Sequence, residues 1–310
     1  ILMKKILIAN RGEIAIRIAR TCNDLGIKTV GIYSEDDLNS LHLSKMDESF
    51  VVDEKGASAY LNIKKIIDIA KKEKVDGIHP GYGFLSENPS FAKAAKQAKI
   101  KFIGPSEKSL QIFGNKSEAK QLASKLNVPV ITGTKGKTSL KQATAFFKGL
   151  KKNSSVIIKA IGGGGGRGMR VVNSQADLKE AMNRAGSEAK SAFDSSDLYL
   201  EEYLKDYRHV EVQVLGDGKG RATHMHEREC STQRRHQKIL EIAPAPGIKK
   251  GLKEKMLDAS LALIKESKYE GLATVEFLVN FAKEDFKFIE CNARLQVEHT
   301  VTEAVLGLDL

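Results

Sequence analysis

The sequence predicts an α/β protein that opens with a parallel sheet and continues into long antiparallel strands. Three observations predict it. Short apolar runs alternate with helix-period segments over residues 4–104, the pattern of a parallel sheet covered on both faces. A run of glycines, Gly162 to Gly166, sits between two strand-like segments. Beyond residue 204 the pattern turns to hairpins and long strands. The 310 residues suggest about two domains. With 41% hydrophobic and 29% charged residues, the chain is too apolar for a disordered one.

In order, KKILIA (4–9) reads as a short strand, and Ile14, Ile18, Cys22 and Leu25 then recur at helical spacing. TVGIYS (29–34) and FVV (50–52) are strands. They are followed by a helix over about 60–73, GIHP (77–80), a helix over about 89–98 and KFIG (101–104). The alternation is Rossmann-like, but IANRGEIAIRIAR (8–20) offers Gly12 alone where G-x-G-x-x-G is needed, so NAD is not expected there. Residues 105–130 read as a helical connection ending near Pro129. The second unit, 131–203, holds a helix near 140–150, VIIKAI (156–161), the glycine run, MRVV (169–172), a helix over about 175–191 and LYLEEY (198–203). One helix near 252–267 interrupts the strands that follow. The final VTEAVLGLDL (301–310) is helix-like and stops without a polar segment, so the chain is expected to be cut inside a domain.

Fifty Lys and Arg against thirty-nine Asp and Glu give a net charge of +11. Nucleic acid, a membrane surface or an anionic small molecule could use that excess. No nucleic-acid motif accompanies it, so solvated lysine faces are the plainer reading and no nucleic-acid partner is expected. No apolar run approaches the ~20 residues of a membrane helix, and the N-terminus lacks a secretory h-region. Cys22, Cys230 and Cys291 lie far apart with no C-x-x-C, which fits a reducing, cytoplasmic compartment.

The strongest local signal is IKAIGGGGGRGMRVV (158–172). Its glycines leave backbone N–H groups free to approach an anion, and Lys159 stands just upstream. Gly163, Gly165 and Gly168 fit G-x-G-x-x-G, but a strand follows instead of a helix, so the loop reads as a lid over phosphates. Gly136-Lys137-Thr138 would need glycine at 131 to be a P-loop; Ile131 is there, and the segment reads as an ordinary loop.

TVEFLVN (274–280) and FKFIECN (286–292) form a hairpin when the turn is centred near Lys283. Glu276 then lies opposite Glu290. Thr274 and Leu278 share that face with Phe288 and Asn292. Opposed carboxylates repel, and a divalent cation would remove the penalty; two carboxylates and an amide oxygen suit Mg²⁺. Were FIECNARLQVEHTVTE (288–303) to remain extended, Glu290, Asn292, Arg294, Gln296 and Glu298 would project to one side. ERECSTQRRHQK (227–238) carries a basic cluster of Arg234, Arg235, His236 and Lys238. His224 and His226 have no spaced third ligand and read as structural. In RHVEVQVLGDGKG (208–220), His209, Glu211 and Gln213 face away from Val210, Val212 and Val214.

Glycine lid, paired carboxylates and N-terminal α/β unit together resemble the ATP-grasp layout. IANRGEIAIRIAR, HPGYGFLSEN (79–88), IKAIGGGGGRGMRVV, RRHQK (234–238) and NARLQVEHTVTE (292–303) go further. Their order resembles the biotin carboxylase component of biotin-dependent carboxylases, from about residue 4 onward. The resemblance implies a Rossmann-like N-terminal domain over 1–114, a linker and ATP-grasp lid subdomain over 115–203, and an incomplete ATP-grasp C-terminal subdomain over 204–310. It implies that ATP activates bicarbonate as carboxyphosphate and that the resulting CO₂ is captured by N1′ of biotin on a carrier protein or domain.

By the same resemblance, Lys116 and Lys159 hold ATP phosphates, and Gly164, Gly165 and Gly166 belong to the lid. Glu201, Glu202, Tyr203 and Leu204 flank adenine, while His209, Gln233 and His236 lie near the ribose and phosphates. Glu276 and Glu290 bind Mg²⁺ (or Mn²⁺), with Asn292 assisting. Lys238, Arg294, Gln296 and Val297 hold bicarbonate; Glu298 is the general base, with Lys238 and Arg294 also catalytic; Tyr82 faces biotin. Arg20 and Asp24 match positions of a homodimer interface. Ala293 and Thr300 depart from the commoner threonine or serine and proline, and no A-M-K-M-like biotinylation motif occurs, so the carrier is expected elsewhere. A separate carboxyltransferase would choose the final acceptor, acyl-CoA or pyruvate. The rival readings are a carbamoyl-phosphate synthetase-like ligase, which shares lid and metal pair, and an impaired or inactive nucleotide-binding fragment.

Overall fold

The computed structural model describes residues 3–151, 153–161, 169–193, 195–234 and 237–310. The apolar β1 (Lys5–Ile8) is the centre of a five-stranded parallel sheet. β2 (Lys28–Ser34) and β3 (Glu48–Val52) lie to one side, β4 (Gly77–His79) and β5 (Lys101–Phe102) to the other, in the order β3-β2-β1-β4-β5. α1 (Gly12–Asp24) buries Ile14, Ile18 and Cys22 against Ile6 and Ile8, as their spacing predicts. On the other face, Ile66 of α2 (Ile63–Lys72) and Phe91 of α3 (Pro89–Gln97) join Leu7, Val30 and Ile78. α2 begins later than its periodicity suggests because the Asn62 side chain accepts from the Lys65 amide at 3.0 Å and caps it there.

Strand order reverses between β1 and β4, so the loops after these strands flank a crevice. One of them is HPGYGFLSEN. Asn10, just past β1, donates Nδ2 to the Pro80 and Tyr82 carbonyls at 2.7 and 2.8 Å and fixes that loop. Gly81 makes the close approach possible: φ is +63°, and a Cβ would stand 2.8 Å from Asn10 Nδ2.

The helical connection splits at Asn115 into α4 (Glu107–Gly114) and α5 (Lys116–Lys125). Asn115 Oδ1 accepts from the Ser117 and Glu118 amides at 3.0 and 3.3 Å. The cap makes Lys116 the first residue of α5, with Lys120 one turn along. A smaller unit follows: α6 (Leu140–Gly149), β6 (Ser155–Ala160), β7 (Arg170–Val172), α7 (Leu178–Phe193) and β8 (Leu198–Tyr203). Its antiparallel sheet runs β7-β6-β8, over a core of its own that includes Val156, Ile158, Leu178 and Leu200.

The second large sheet is antiparallel, in the order β11-β10-β9-β12-β13. Its strands are β9 (Arg208–Asp217), β10 (Ala222–Arg234), β11 (Gln237–Ile242), β12 (Glu270–Asn280) and β13 (Asp285–Asn292). α8 (Lys250–Glu266) brings Leu252, Met256 and Leu263 into one core with Val210, Val212 and Val214. Period-two alternation sends Glu211 and Gln213 to the opposite face, where Thr302 of α9 (His299–Leu306) also lies, bonded to Arg228 at 2.9 Å.

Two expectations are corrected here. The 288–303 run does not remain extended: β13 stops at Asn292, and the chain turns into α9 with Glu298 at its N-cap. The Ala293 amide bonds to Glu87 at 3.2 Å instead of a neighbouring strand, and the His299 amide bonds back to the Gln296 carbonyl at 3.2 Å. Phe288 does not share the carboxylate face. Asn280 pairs with Asp285, which places the hairpin centre ahead of Lys283, and a β-bulge beside Glu276 then restores the Glu276–Glu290 pair. The extra residue turns Phe288 to the core, opposite Phe277.

Candidate active site

Glu276 sits at the middle of a polar sheet face, paired in register with Glu211 of β9 on one side and Glu290 of β13 on the other. Three carboxylates abreast repel one another unless cations intervene. Lys238, reaching in from β11, is the main one: its Nζ lies 2.5 Å from Glu211, 3.1 Å from Glu276 and 2.6 Å from Glu298. Burial opposes the Lys238 charge, but Glu276, Glu211 and Glu298 hold its pKa well above the ordinary lysine value. Burial likewise opposes the Glu276 charge, yet bonds from His209 and Lys238 hold that carboxyl far below the usual range. Glu298 is also lowered: burial opposes its charge, and Lys238 outweighs that opposition.

Behind Lys238, Arg228 is completely buried. It donates to Glu211 at 2.6 Å, Gln213 at 2.8 Å, Thr302 at 2.9 Å and Thr274 at 3.4 Å. Glu211 is thus shared between Arg228 and Lys238. On the other flank His209 Nε2 stands 2.7 Å from Glu276, and Gln233 Nε2 stands 2.8 Å from His209 Nδ1. Asn292 Nδ2 and Gln296 Nε2 donate to Glu276 at 2.7 and 3.2 Å. The buried Gln296 Oε1 has no partner among the described residues and can accept a donor.

Arg294 leaves the sheet with the turn after β13. Its Nε donates to Glu87 at 2.8 Å, and its Nη2 reaches Asn292 Oδ1 at 3.5 Å. Val297 is exposed, between Gln296 and Glu298. Tyr82 and Leu295 both pack on the apolar cluster beneath α1, which brings the switch-point loop beside the Arg294 turn.

A second charged group joins α5 to the small sheet. Lys159 of β6 pairs with Glu201 of β8 at 2.5 Å, Lys120 of α5 pairs with the other Glu201 oxygen, and Lys116 lies 3.5 Å from Glu290. Burial, with Lys116 and Lys120 nearby, pushes Lys159 down to about 7. Burial, with Lys116 nearby, brings Lys120 to about 8. Among the described residues, Lys116, Lys120 and Lys159 gather around Glu201 and Glu290, a basic group suited to a phosphate chain. Beyond Glu201, Glu202 receives a bond from Ser154 at 3.4 Å, Tyr203 is exposed at the end of β8, and Leu204 follows it.

The structure therefore brings Lys238, Glu276, Glu290, Asn292, Gln296, Glu298, His209 and Gln233 to one face, with Lys116 linked to it through Glu290. Gly164, Gly165, Gly166 and His236 lie outside the described residues. Sequence reading missed Lys120, Arg228 and Glu87. Lys120 had a signal, four residues from Lys116 on one helix; Arg228 and Glu87 act through contacts that no local pattern reveals. The metal expectation also has a neighbour: His209, Glu211 and Glu276 offer ligand atoms within 4.8 Å of one another. Both Glu211 oxygens are held by the cations Arg228 and Lys238 and both Glu276 oxygens by donors, whereas Glu290 is partly exposed with Lys116 at 3.5 Å; a hard cation that enters at Glu290 and displaces donors from Glu276 fits the Glu276–Glu290 pair.

Residues 2–110 match the family model for the biotin carboxylase N-terminal domain. Residues 115–310 match that for the carbamoyl-phosphate synthase L chain ATP binding domain. A crystal structure of a biotin carboxylase–β-γ-ATP complex from Campylobacter jejuni superposes with a TM-score of 0.94 at 44% identity, covering 99% of this chain and 69% of that one. The chain belongs to the biotin carboxylase family. A second biotin carboxylase domain, from the Hydrogenobacter thermophilus 2-oxoglutarate carboxylase in complex with MgADP, ADP and bicarbonate, gives a TM-score of 0.93 at 39% identity, over 99% and 68% of the two chains. Among curated relatives, pyruvate carboxylase from Bacillus subtilis is 49% identical over 310 residues, 99% of this chain but 27% of that protein. Human mitochondrial pyruvate carboxylase is 48% identical over 311 residues, 99% of this chain and 26% of that protein. The chain thus spans about a quarter of the length of these relatives. The first of the two family matches ends inside α4, at residue 110, and the second begins at Asn115, the cap of α5. The ATP-grasp layout is that of these neighbours: a parallel sheet followed by two antiparallel ones.

Proposed function

We propose that the protein catalyses the first half-reaction of a biotin-dependent carboxylase, the ATP-dependent carboxylation of carrier-bound biotin with bicarbonate. The observation that carries this reading is Lys238, which ties Glu298 to Glu276 beside the Arg294 turn. The complex of the Hydrogenobacter relative with MgADP and bicarbonate supports it. On this reading Arg294, Lys238, Gln296 and Val297 hold bicarbonate; the Arg294 fork matches a planar anion. Glu298, ionised at neutral pH beside Lys238, takes the bicarbonate proton as an oxygen attacks the γ-phosphorus and the bond to ADP breaks. Lys116, Lys159 and the lid glycines Gly164, Gly165 and Gly166 hold the phosphates. Glu201 to Leu204 flank adenine, and His209, Gln233 and His236 line the ribose and phosphate side. Mg²⁺ held by Glu276 and Glu290, with Asn292, would neutralise charge on the transferring phosphoryl group. Carboxyphosphate breaks to CO₂ and phosphate; the phosphate takes the biotin N1′ proton, and N1′ captures CO₂ beside Tyr82.

The domains on this reading are 1–114, 115–203 and 204–310. The partners are a biotin carrier and a carboxyltransferase, with a homodimer contact through Arg20 and Asp24, which are exposed on α1. No helix among the described residues is long and apolar enough to cross a membrane; a cytoplasmic location is part of the proposal. The test is ADP release by the purified protein with ATP, bicarbonate and free biotin. Biotin is expected to stimulate it, and Glu298→Ala to abolish the stimulation. Wild-type rates in that variant would remove Glu298 as the base. Stimulation by ammonia instead of biotin would favour the carbamoyl-phosphate synthetase-like reading.

A further inference from the structure

Resting on the nucleotide-site reading above and deepening it, we infer that Lys120 is a positioning residue: it holds the buried Glu201 charge so that Lys159 can turn to phosphate. None of the family strings contains Lys120. Glu201 is 1% exposed, and its two oxygens are divided, Oε2 to Lys159 at 2.5 Å and Oε1 to Lys120. A carboxylate so deep is costly to leave without a cation. If Lys159 alone neutralised it, an arriving phosphate would compete with Glu201 for one ammonium. Lys120 removes that competition.

Its placement supports the role. Lys120 lies one helical turn from Lys116, on the helix that the Asn115 side chain caps. Its ammonium stands 5.8 Å from the centre of the Tyr199 ring, a contact that favours a cation there. Lys159, by contrast, sits on a strand, beside Ala160 at its end, with the glycine-rich segment following. The two lysines thus approach Glu201 from different elements, Lys120 from the helix and Lys159 from the strand.

MgADP titration calorimetry and steady-state ATP kinetics on the purified protein test this. Lys120→Met is expected to weaken MgADP binding and raise KM for ATP by about tenfold. kcat at saturating ATP stays within about twofold. Lys120→Arg restores binding because it restores the cation. In a Glu201→Gln background the Lys120→Met change is expected to cost less than about twofold, since no carboxylate charge remains to be held. Unchanged binding in Lys120→Met overturns the inference, and so does a double variant whose losses simply multiply. If Lys120→Met does not fold, the double variant decides: folding and binding like Glu201→Gln supports the role, and failure refutes it. A wild-type protein that does not bind MgADP would instead overturn the nucleotide reading itself.

Discussion

Removing Arg228 tests how the polar face is held together. Its side chain is fully buried and makes four bonds: one to the Glu211 carboxylate and three to neutral oxygens of Gln213, Thr274 and Thr302. Breaking one partner of a buried ion pair costs about 3–5 kcal/mol. Glu211 keeps Lys238 at 2.5 Å, so the low end applies, and Arg228→Met is expected to lose about 3 kcal/mol. That is a large share of a typical total of about 5–15 kcal/mol. The chain has no Trp, so unfolding in urea is followed by far-UV circular dichroism. With a slope near ~3 kcal/mol/M, the midpoint moves down by about 1 M. Glu211→Gln is the second arm. Because the two groups share one interaction, the double variant is expected to fall short of the summed losses by about 1–3 kcal/mol. A midpoint for Arg228→Met within error of wild type refutes the argument. Strictly additive losses do too, because they leave Arg228 and Glu211 uncoupled.

Two further outcomes follow from the charges. Glu290→Gln removes the partly exposed member of the proposed metal pair and leaves Glu276 with its His209 and Lys238 bonds; the Mg²⁺ concentration for half-maximal ATP cleavage is expected to rise about tenfold or more, and an unchanged Mg²⁺ titration would exclude Glu290 as a ligand. Lys159 lies near 7 in the free protein, and a bound phosphate raises it; MgADP affinity is therefore level below about pH 7 and falls as pH climbs through that value, while Lys159→Arg flattens the profile. A decline of equal steepness in Lys159→Arg would place the titration elsewhere.

Local pattern made much of this readable. The spacing of Ile14, Ile18 and Cys22 located α1, and alternation through 274–292 placed Glu276 against Glu290. The bulge beside Glu276 was not readable, because inserting a residue changes no local propensity, and Phe288 went to the wrong face for that reason. The row from Glu290 to Glu298 shows the same limit. Its residue types were informative, but the side chains converge through a turn pinned by Glu87, about two hundred positions away in sequence. Lys238 was visible as part of a basic cluster, yet its three carboxylate partners come from β9, β12 and the cap of α9. Long-range pairing of charges was invisible, and it is what turns the separate motifs into one site.

The distribution of those charges has a direction. On the α5 and small-sheet side, Lys116, Lys120 and Lys159 outnumber Glu201 and Glu290. On the large-sheet side, among the described residues, the four carboxylates of Glu211, Glu276, Glu290 and Glu298 outnumber Lys238, Arg228 and His209. A polyanion is drawn to the first side and a divalent cation to the second, and Glu290 belongs to both through Lys116 and the Glu276 pairing. A metal seated at Glu276 and Glu290 would therefore face the lysines across a shared carboxylate, so that phosphate and cation reinforce each other's binding. Neutralising Glu290 should weaken both together, whereas changing Lys120 should weaken the nucleotide and, at saturating nucleotide, leave the metal requirement unchanged.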